Sequence, residues 1–253
     1  TKENARYGER TDSGVGIGGY AFANYGENQN VSAKSYLNYL NQFGSIGVSA
    51  VLGSEYQFTV IDNAWAEGQE FPLDDLKTLA SAGLISGASS SKTEYSFLSY
   101  FSRVNFDYMA KYLVTIAGRV DGSSRFGSNS RYGFFPALSV GWVLTQESFL
   151  TDNPTLSVLK LRASYGLTGN AGIGNFRHLG LFGVDSYNGT SGLIPSQIAN
   201  ADLGWETTRQ MDLGLDFGFF KNRISGEIDI YSKNTNDLLL DVPVPATSGY
   251  TVQ

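Results

Sequence analysis

Cysteine is absent, which removes disulfide scaffolds, thiolate zinc sites, iron–sulfur clusters and cysteine nucleophiles. A single histidine, His178, rules out a multi-histidine metal site and leaves one candidate for a Ser-His-Asp arrangement. Charge is scarce: 17% of the 253 residues are Asp, Glu, Lys or Arg, against about 25% in an average soluble domain. The balance is negative, at −6, and Lys and Arg do not cluster, so nucleic acid has no electrostatic footprint here. No run approaches the ~18 apolar residues of a transmembrane helix. A transmembrane barrel stays open, because its signal is alternation rather than a run. Thr1 is preceded by no Met, charged n-region or apolar h-region, so either a leader has been removed or the start lies upstream.

What the chain does have is glycine, 30 residues, aromatic side chains at 13%, and strict period-two patterning. Leu98, Tyr100, Ser102, Val104, Phe106 and Tyr108 alternate with Ser99, Phe101, Arg103, Asn105 and Asp107. The pattern returns at Tyr112–Asp121, Ala137–Leu144, Leu159–Thr168, Met211–Phe219 and Ile224–Tyr231, with Ile46–Phe58 alternating well and Val31–Phe43 and Tyr20–Tyr25 less well. Successive side chains of a strand face opposite ways, so these segments read as about nine strands with one apolar face each. A short helix is expected over Pro72–Ala80, with Leu73, Leu76 and Leu79 at helical spacing and Gly83 ending it.

Strands of about 11 residues span about 37 Å, or about 26 Å of height when tilted by ~45°, close to the apolar band of an outer-membrane barrel. Short connections (Met109–Lys111, Phe220–Arg223) alternate with long ones (Trp65–Lys92, Gly122–Phe134, Gly169–Thr208), as such barrels require. The 146–158 connection is longer than its side predicts. Tyr108, Tyr112, Phe134, Phe135, Phe217, Phe219 and Phe220 gather at strand ends, as an interfacial girdle would. The competing reading is a soluble all-β domain with a solvated polar face.

The candidate motifs are weak. Gly14–Gly19 matches G-x-G-x-x-G but leads into a strand, so it reads as a glycine-rich approach to that strand rather than a dinucleotide site. Gly166–Asn175 lacks the Gly-Lys-Ser/Thr of a phosphate loop. His178 stands in a loop without a Gly-x-Ser-x-Gly elbow and reads as solvated. Asn188-Gly189-Thr190 reads first as a turn. The carboxylates Asp107, Asp121, Asp212, Asp216 and Asp229 fall on polar strand faces, although a glycosidase pair among the 24 acids stays open. No catalytic, cofactor-binding or metal-binding residue is singled out, no cofactor is called for, and an enzyme is not expected. Trp65, Tyr132, Tyr187 and Trp205 are candidates for stacking on sugar rings, with loop packing or a membrane girdle as the plainer reading of each.

Ordered blocks in the chain resemble the SusC/RagA family of TonB-dependent outer-membrane transporters. They are Tyr100–Tyr108, Lys111–Leu113, Arg119–Gly127, Arg131–Trp142, Leu159–Asn170, Asn200–Thr208, Gly214–Gly218 and Asp237–Leu240. Order and spacing match through about residues 95–250, and residues 1–94 match more loosely. The resemblance implies an all-β fold, an antiparallel transmembrane β-barrel segment supplying about nine strands of a 22-stranded barrel in the cell outer membrane. It implies import of large nutrients, a glycan such as an oligosaccharide or a peptide. A SusD-like surface lipoprotein would be a partner. The TonB–ExbB–ExbD complex would act through a plug domain. It also implies a source among the Bacteroidota. Residues 1–253 are expected to be a partial barrel domain without plug, TonB box or C-terminal strands, an internal fragment of a longer protein. Arg103, Asp107, Arg119, Asp121, Arg162, Asp212 and Asp216 would line the lumen, the apolar faces would meet lipid, and no ligand-binding residue is carried over. A passive porin or adhesin barrel and a soluble β-rich carbohydrate-binding module are the alternatives.

Overall fold

The structure, a computed structural model, describes residues 2–8, 10–11, 14–76, 78–151 and 153–250. It contains β1 (Lys2–Tyr7), β2 (Tyr20–Phe43), β3 (Ile46–Gln69), β4 (Leu84–Tyr108), β5 (Tyr112–Ser123) and β6 (Tyr132–Val143). These are followed by β7 (Leu156–Asn170), β8 (Leu181–Tyr187), β9 (Thr190–Gln197), β10 (Glu206–Phe219) and β11 (Ile224–Asn236). Nine strands form one sheet in the order β1-β2-β3-β4-β5-β6-β7-β10-β11, with β1 and β11 at its edges, and β8 and β9 form a separate hairpin. Apart from the β8–β9 hairpin inserted between β7 and β10, each strand pairs with the next in the chain, the pattern of an antiparallel meander.

The chain divides into two compact units, one of residues 1–31 and 57–95, the other of residues 32–56 and 96–253. In the second unit the registers carry each apolar face into the next. Phe106, Val114, Val140, Ala163, Leu213 and Ile230 form one row across β4, β5, β6, β7, β10 and β11. Tyr108, Tyr112, Trp142, Leu161, Leu215 and Ile228 form the next. A slip of one residue would send every side chain to the other face, so six strands agreeing in register define a continuous apolar surface. That surface is uncovered: Leu213 is 63% exposed and Ile230 71%. The buried apolar side chains among the described residues are Ala21, Phe71, Phe126 and Phe135, so no hydrophobic core lies beneath the sheet. A soluble sandwich would bury this face against a second sheet.

Four expectations need correction. β2, β3 and β4 run for 24, 24 and 25 residues, twice the length read from alternation, and β2 joins two segments expected to be separate strands. In β4 the added stretch Ser86–Ser91 consists of small and polar residues on both faces and is mostly exposed, so it carries no alternating signal. The long connection expected at 65–92 therefore shrinks to residues 70–83. The helix expected over Pro72–Ala80 is a single 3-10 turn at Leu79–Ser81, with Lys77 outside the described residues. β1 and the β8–β9 hairpin lacked a readable pattern. Asn188 and Gly189, at φ 51° and 78°, both occupy the left-handed region that a two-residue hairpin turn requires, as the dipeptide suggested.

The two ends of the second unit differ. Gly44-Ser45, Met109–Lys111 and Phe220–Arg223 close one end, with residues 144–155 as its longer connection, and residues 124–131 and 171–205 close the other. The tight turns are left-handed at Met109 and Ala110 and at Phe220, Lys221 and Asn222. Side chains hold them: Asp107 Oδ1 accepts the Ala110 N–H at 2.9 Å, and Ser157 Oγ accepts the Lys221 N–H at 2.8 Å.

Candidate functional site

The residues expected to line an interior do share the face opposite the apolar rows, and Arg162 with Asp216 and Arg119 with Asp121 anchor two networks on it. In the first, Arg162 makes a forked contact with Asp216, from Nε at 2.9 and 3.0 Å and from Nη2 at 2.7 Å. Its Nη2 also lies 3.1 Å from Asp229 and 3.8 Å from Glu227. The side chain crosses Gly214, where a Cβ would come within 2.8 Å of the guanidinium carbon. Asp212 accepts from Ser164 Oγ at 3.0 Å and from Gln210 Nε2 at 2.8 Å. In the second, Arg119 bonds Asp121, reaches Glu55 at 3.6 Å and lies over the Phe101 ring at 5.8 Å. Lys34 approaches the same ring at 5.3 Å. Asp107 is spent on the turn below it, and Arg103 stands exposed. Glu55, Glu227 and Lys34 completed these networks without a sequence signal, because only strand register places them. Planar guanidinium–carboxylate forks fix geometry more than they stabilise at such exposure.

At the end with the tight turns, Tyr108, Tyr112 and Trp142 stack in a row, with centroids 6.2 and 6.3 Å apart. Glu147, in the connection between β6 and β7, accepts from the Tyr112 hydroxyl at 2.7 Å, Trp142 Nε1 at 3.1 Å and Lys111 Nζ at 3.3 Å. The Tyr112 hydroxyl, then the Trp142 N–H and then Lys111 hold its carboxyl below the ordinary value of 4.5. Phe217, Phe219 and Phe220 form a second aromatic group at the same end.

At the other end, residues 124–131 and 171–205 lock together. Arg125 donates from Nε to Asn175 Oδ1 at 2.8 Å and from Nη1 to the Ala171 carbonyl at 3.0 Å. The Gly127 N–H meets the Leu203 carbonyl at 3.0 Å, and Asn129 Nδ2 donates to Asp202 at 2.9 Å. Phe126 is fully buried, against Trp205 at 4.8 Å. Phe135 packs on the same indole at 5.3 Å, so it belongs to this buried cluster rather than to a girdle. Trp205 Nε1 donates to the Arg131 carbonyl at 3.1 Å. His178 is not simply solvated, because its Nδ1 lies 3.2 Å from the Arg125 carbonyl. Beside the knot, Ile173, Arg177, Leu203, Leu239 and Asp241 line a cavity of about 500 Å³.

The four aromatic candidates therefore separate. Trp205 is committed to packing. Tyr132 lies across Gly122, where a Cβ would meet its ring at 2.4 Å. The Tyr187 side chain lies outside the described residues. Trp65, in the first unit, is 44% exposed. Its ring packs over Gly87, and the neighbouring Glu67 accepts from the Tyr20 hydroxyl at 2.8 Å. In the same unit the Gly14–Gly19 motif is a structural turn: the Glu70 and Phe71 N–H groups bond the Ile17 and Gly18 carbonyls at 3.1 and 2.8 Å. Among the described residues no three His, Cys, Asp or Glu side chains are grouped to hold a metal ion.

Residues 1–253 match the family described as TonB dependent receptor-like, beta-barrel. The chain is 36% identical over 247 residues to TonB-dependent receptor P3 of Formosa agariphila, covering 95% of this chain and 25% of that protein. It is 34% identical over 267 residues to TonB-dependent receptor SusC of Bacteroides thetaiotaomicron, covering 98% of this chain and 26% of SusC. A solved structure of the RagAB peptide transporter superposes with a TM-score of 0.92 at 31% identity, over 100% of this chain and 28% of that one. The chain spans about a quarter of the length of these curated relatives.

Proposed function

The chain belongs to the TonB-dependent receptor-like β-barrel family, and from that premise we propose that it is part of the barrel wall of an outer-membrane active importer of large nutrients. The observation that carries this reading is the pair of opposed faces held in register over six strands. An uncovered apolar face is the surface a lipid bilayer would take, and a face of paired charges suits a wet interior. The Tyr108–Tyr112–Trp142 row fits an interfacial girdle at the turn end. Neither feature serves a soluble carbohydrate module, and membership of a TonB-dependent family favours energised import over a passive porin or adhesin.

The cargo we assign is an oligosaccharide, supported by similarity to SusC and by the half-exposed indole of Trp65. Similarity to the RagAB peptide transporter supports a peptide as the second reading. A SusD-like lipoprotein at the long-loop end and the TonB complex at the other complete the assembly we propose. The test is uptake of labelled oligosaccharide and of labelled peptide by cells carrying the full-length gene, with and without a proton uncoupler. Uptake of one cargo that collapses with the uncoupler is expected. Uptake unchanged by the uncoupler would make the protein a passive pore.

A further inference from the structure

We propose that Trp65, with Asn63 and Glu67 beside it on β3, is a pyranose-binding subsite, an inference that rests on the oligosaccharide reading above. Side chains two apart on a strand share a face, so Asn63, Trp65 and Glu67 present an amide, an indole and a carboxylate in one line. The indole rests on Gly87 yet is 44% exposed, and among the described residues it has no aromatic or cationic partner and its Nε1 no hydrogen-bond partner. Trp205 is the internal contrast, with its ring packed and its N–H bonded. A large aromatic ring left half open is a surface for apolar contact, and its free N–H is a polar handle.

The glycines around it fit a built site. A Cβ on Gly87 would come within 3.0 Å of two Trp65 ring atoms and within 3.1 Å of Glu67 Oε1, so glycine at this position seats both side chains. A Cβ on Gly26 would come within 3.1 Å of Asn63 Oδ1. The Glu67 carboxylate is oriented by the Tyr20 hydroxyl at 2.8 Å and the Ser86 hydroxyl at 3.3 Å. A carboxylate has about four acceptor positions, so two remain for ligand hydroxyls. The Asn63 side chain is exposed and offers both donor and acceptor. A pyranose has the complementary chemistry: one face of C–H groups for the indole and equatorial hydroxyls for planar amide and carboxylate groups. Binding sites of this kind combine an apolar platform with a few placed polar groups.

The test uses the full-length transporter purified from outer membranes in detergent. Calorimetry would measure binding of maltohexaose, cellohexaose, laminarihexaose, mannohexaose and xylohexaose, because stacking reads the C–H face rather than the linkage. Trp65→Ala should weaken binding of whichever hexasaccharide the parent takes by about tenfold, and Trp65→Phe should restore most of it. Gly87→Val, which lifts the indole from its seat without removing it, should weaken binding as well. Resistance of the folded barrel to detergent denaturation before heating confirms that each variant is assembled. Equal binding by parent and Trp65→Ala overturns the subsite and leaves the transporter reading intact. Binding of none of the five sugars by the parent overturns the oligosaccharide reading, and the subsite with it.

Discussion

Glu147 shows how much one side chain can organise. It gathers a tyrosine, a tryptophan and a lysine from three separate elements, and its carboxyl is held below the ordinary 4.5 by the hydrogen bonds it accepts, the Tyr112 hydroxyl foremost. A carboxyl whose folded value is depressed stabilises the folded state fully above its unfolded value, and that stabilisation is lost as pH falls through the folded value. The assembled barrel should therefore unfold faster in detergent below about pH 4 than at pH 7, and Glu147→Gln should flatten that dependence. Rates of loss of the unheated, compact band on gels check this, and an unchanged pH profile in the variant would show the cluster to be idle. Glu147 was not legible in the sequence, because its partners are brought together by a register that no local spacing encodes. Trp65 and Trp205 looked alike in sequence for the same reason. Their difference lies in whether Phe126 and Phe135 fold back onto the ring.

Among elements, strands were legible where one face is apolar and the other polar, which holds for the sheet strands from Leu98 to Tyr231 but not for the β8–β9 hairpin between them. They were not legible where both faces are polar, as in the first half of β4, because period two needs contrast between faces to be seen. The connection at 171–205 was legible as long and glycine-rich, but its interlock with residues 124–131 was not. Gly127 is the tightest point of that interlock. A Cβ there would stand 1.9 Å from the Ala201 carbonyl oxygen, and the Gly127 N–H is bonded to the Leu203 carbonyl. Both obstacles are backbone, so Gly127→Ala must part the two loops. We expect a cost of about 1–3 kcal/mol, the usual range for forcing an extra group into a packed site. Limited proteolysis should then cleave the variant within residues 171–205 at protease levels that leave the parent intact. Equal resistance would mean that the loops shift together at little cost.

For the whole molecule the decisive question is which solvent meets the apolar face. Leu213 lies in the row Val140–Ala163–Leu213–Ile230 and is 63% exposed. Along β10 it stands about 20 Å from Phe219 at the turn end, taking ~3.4 Å per residue. With a strand tilt of ~45° that is about 14 Å of height, near the middle of an apolar band about 25 Å tall. A charge there costs about 2–4 kcal/mol at the bilayer midplane and close to nothing in water. Leu213→Arg in the full-length protein should therefore lower the yield of assembled barrel in the outer-membrane fraction severalfold, and Leu213→Met should not. Asp216, three residues on and on the opposite face, supplies the complementary comparison: Asp216→Leu should disturb the Arg162 network and leave membrane assembly largely intact. If Leu213→Arg assembles as well as the parent, water or another protein surface covers this face, and the barrel-wall reading fails for β10 and its neighbours together. The register makes the outcome shared: six strands present one surface, so they face lipid as a set or not at all.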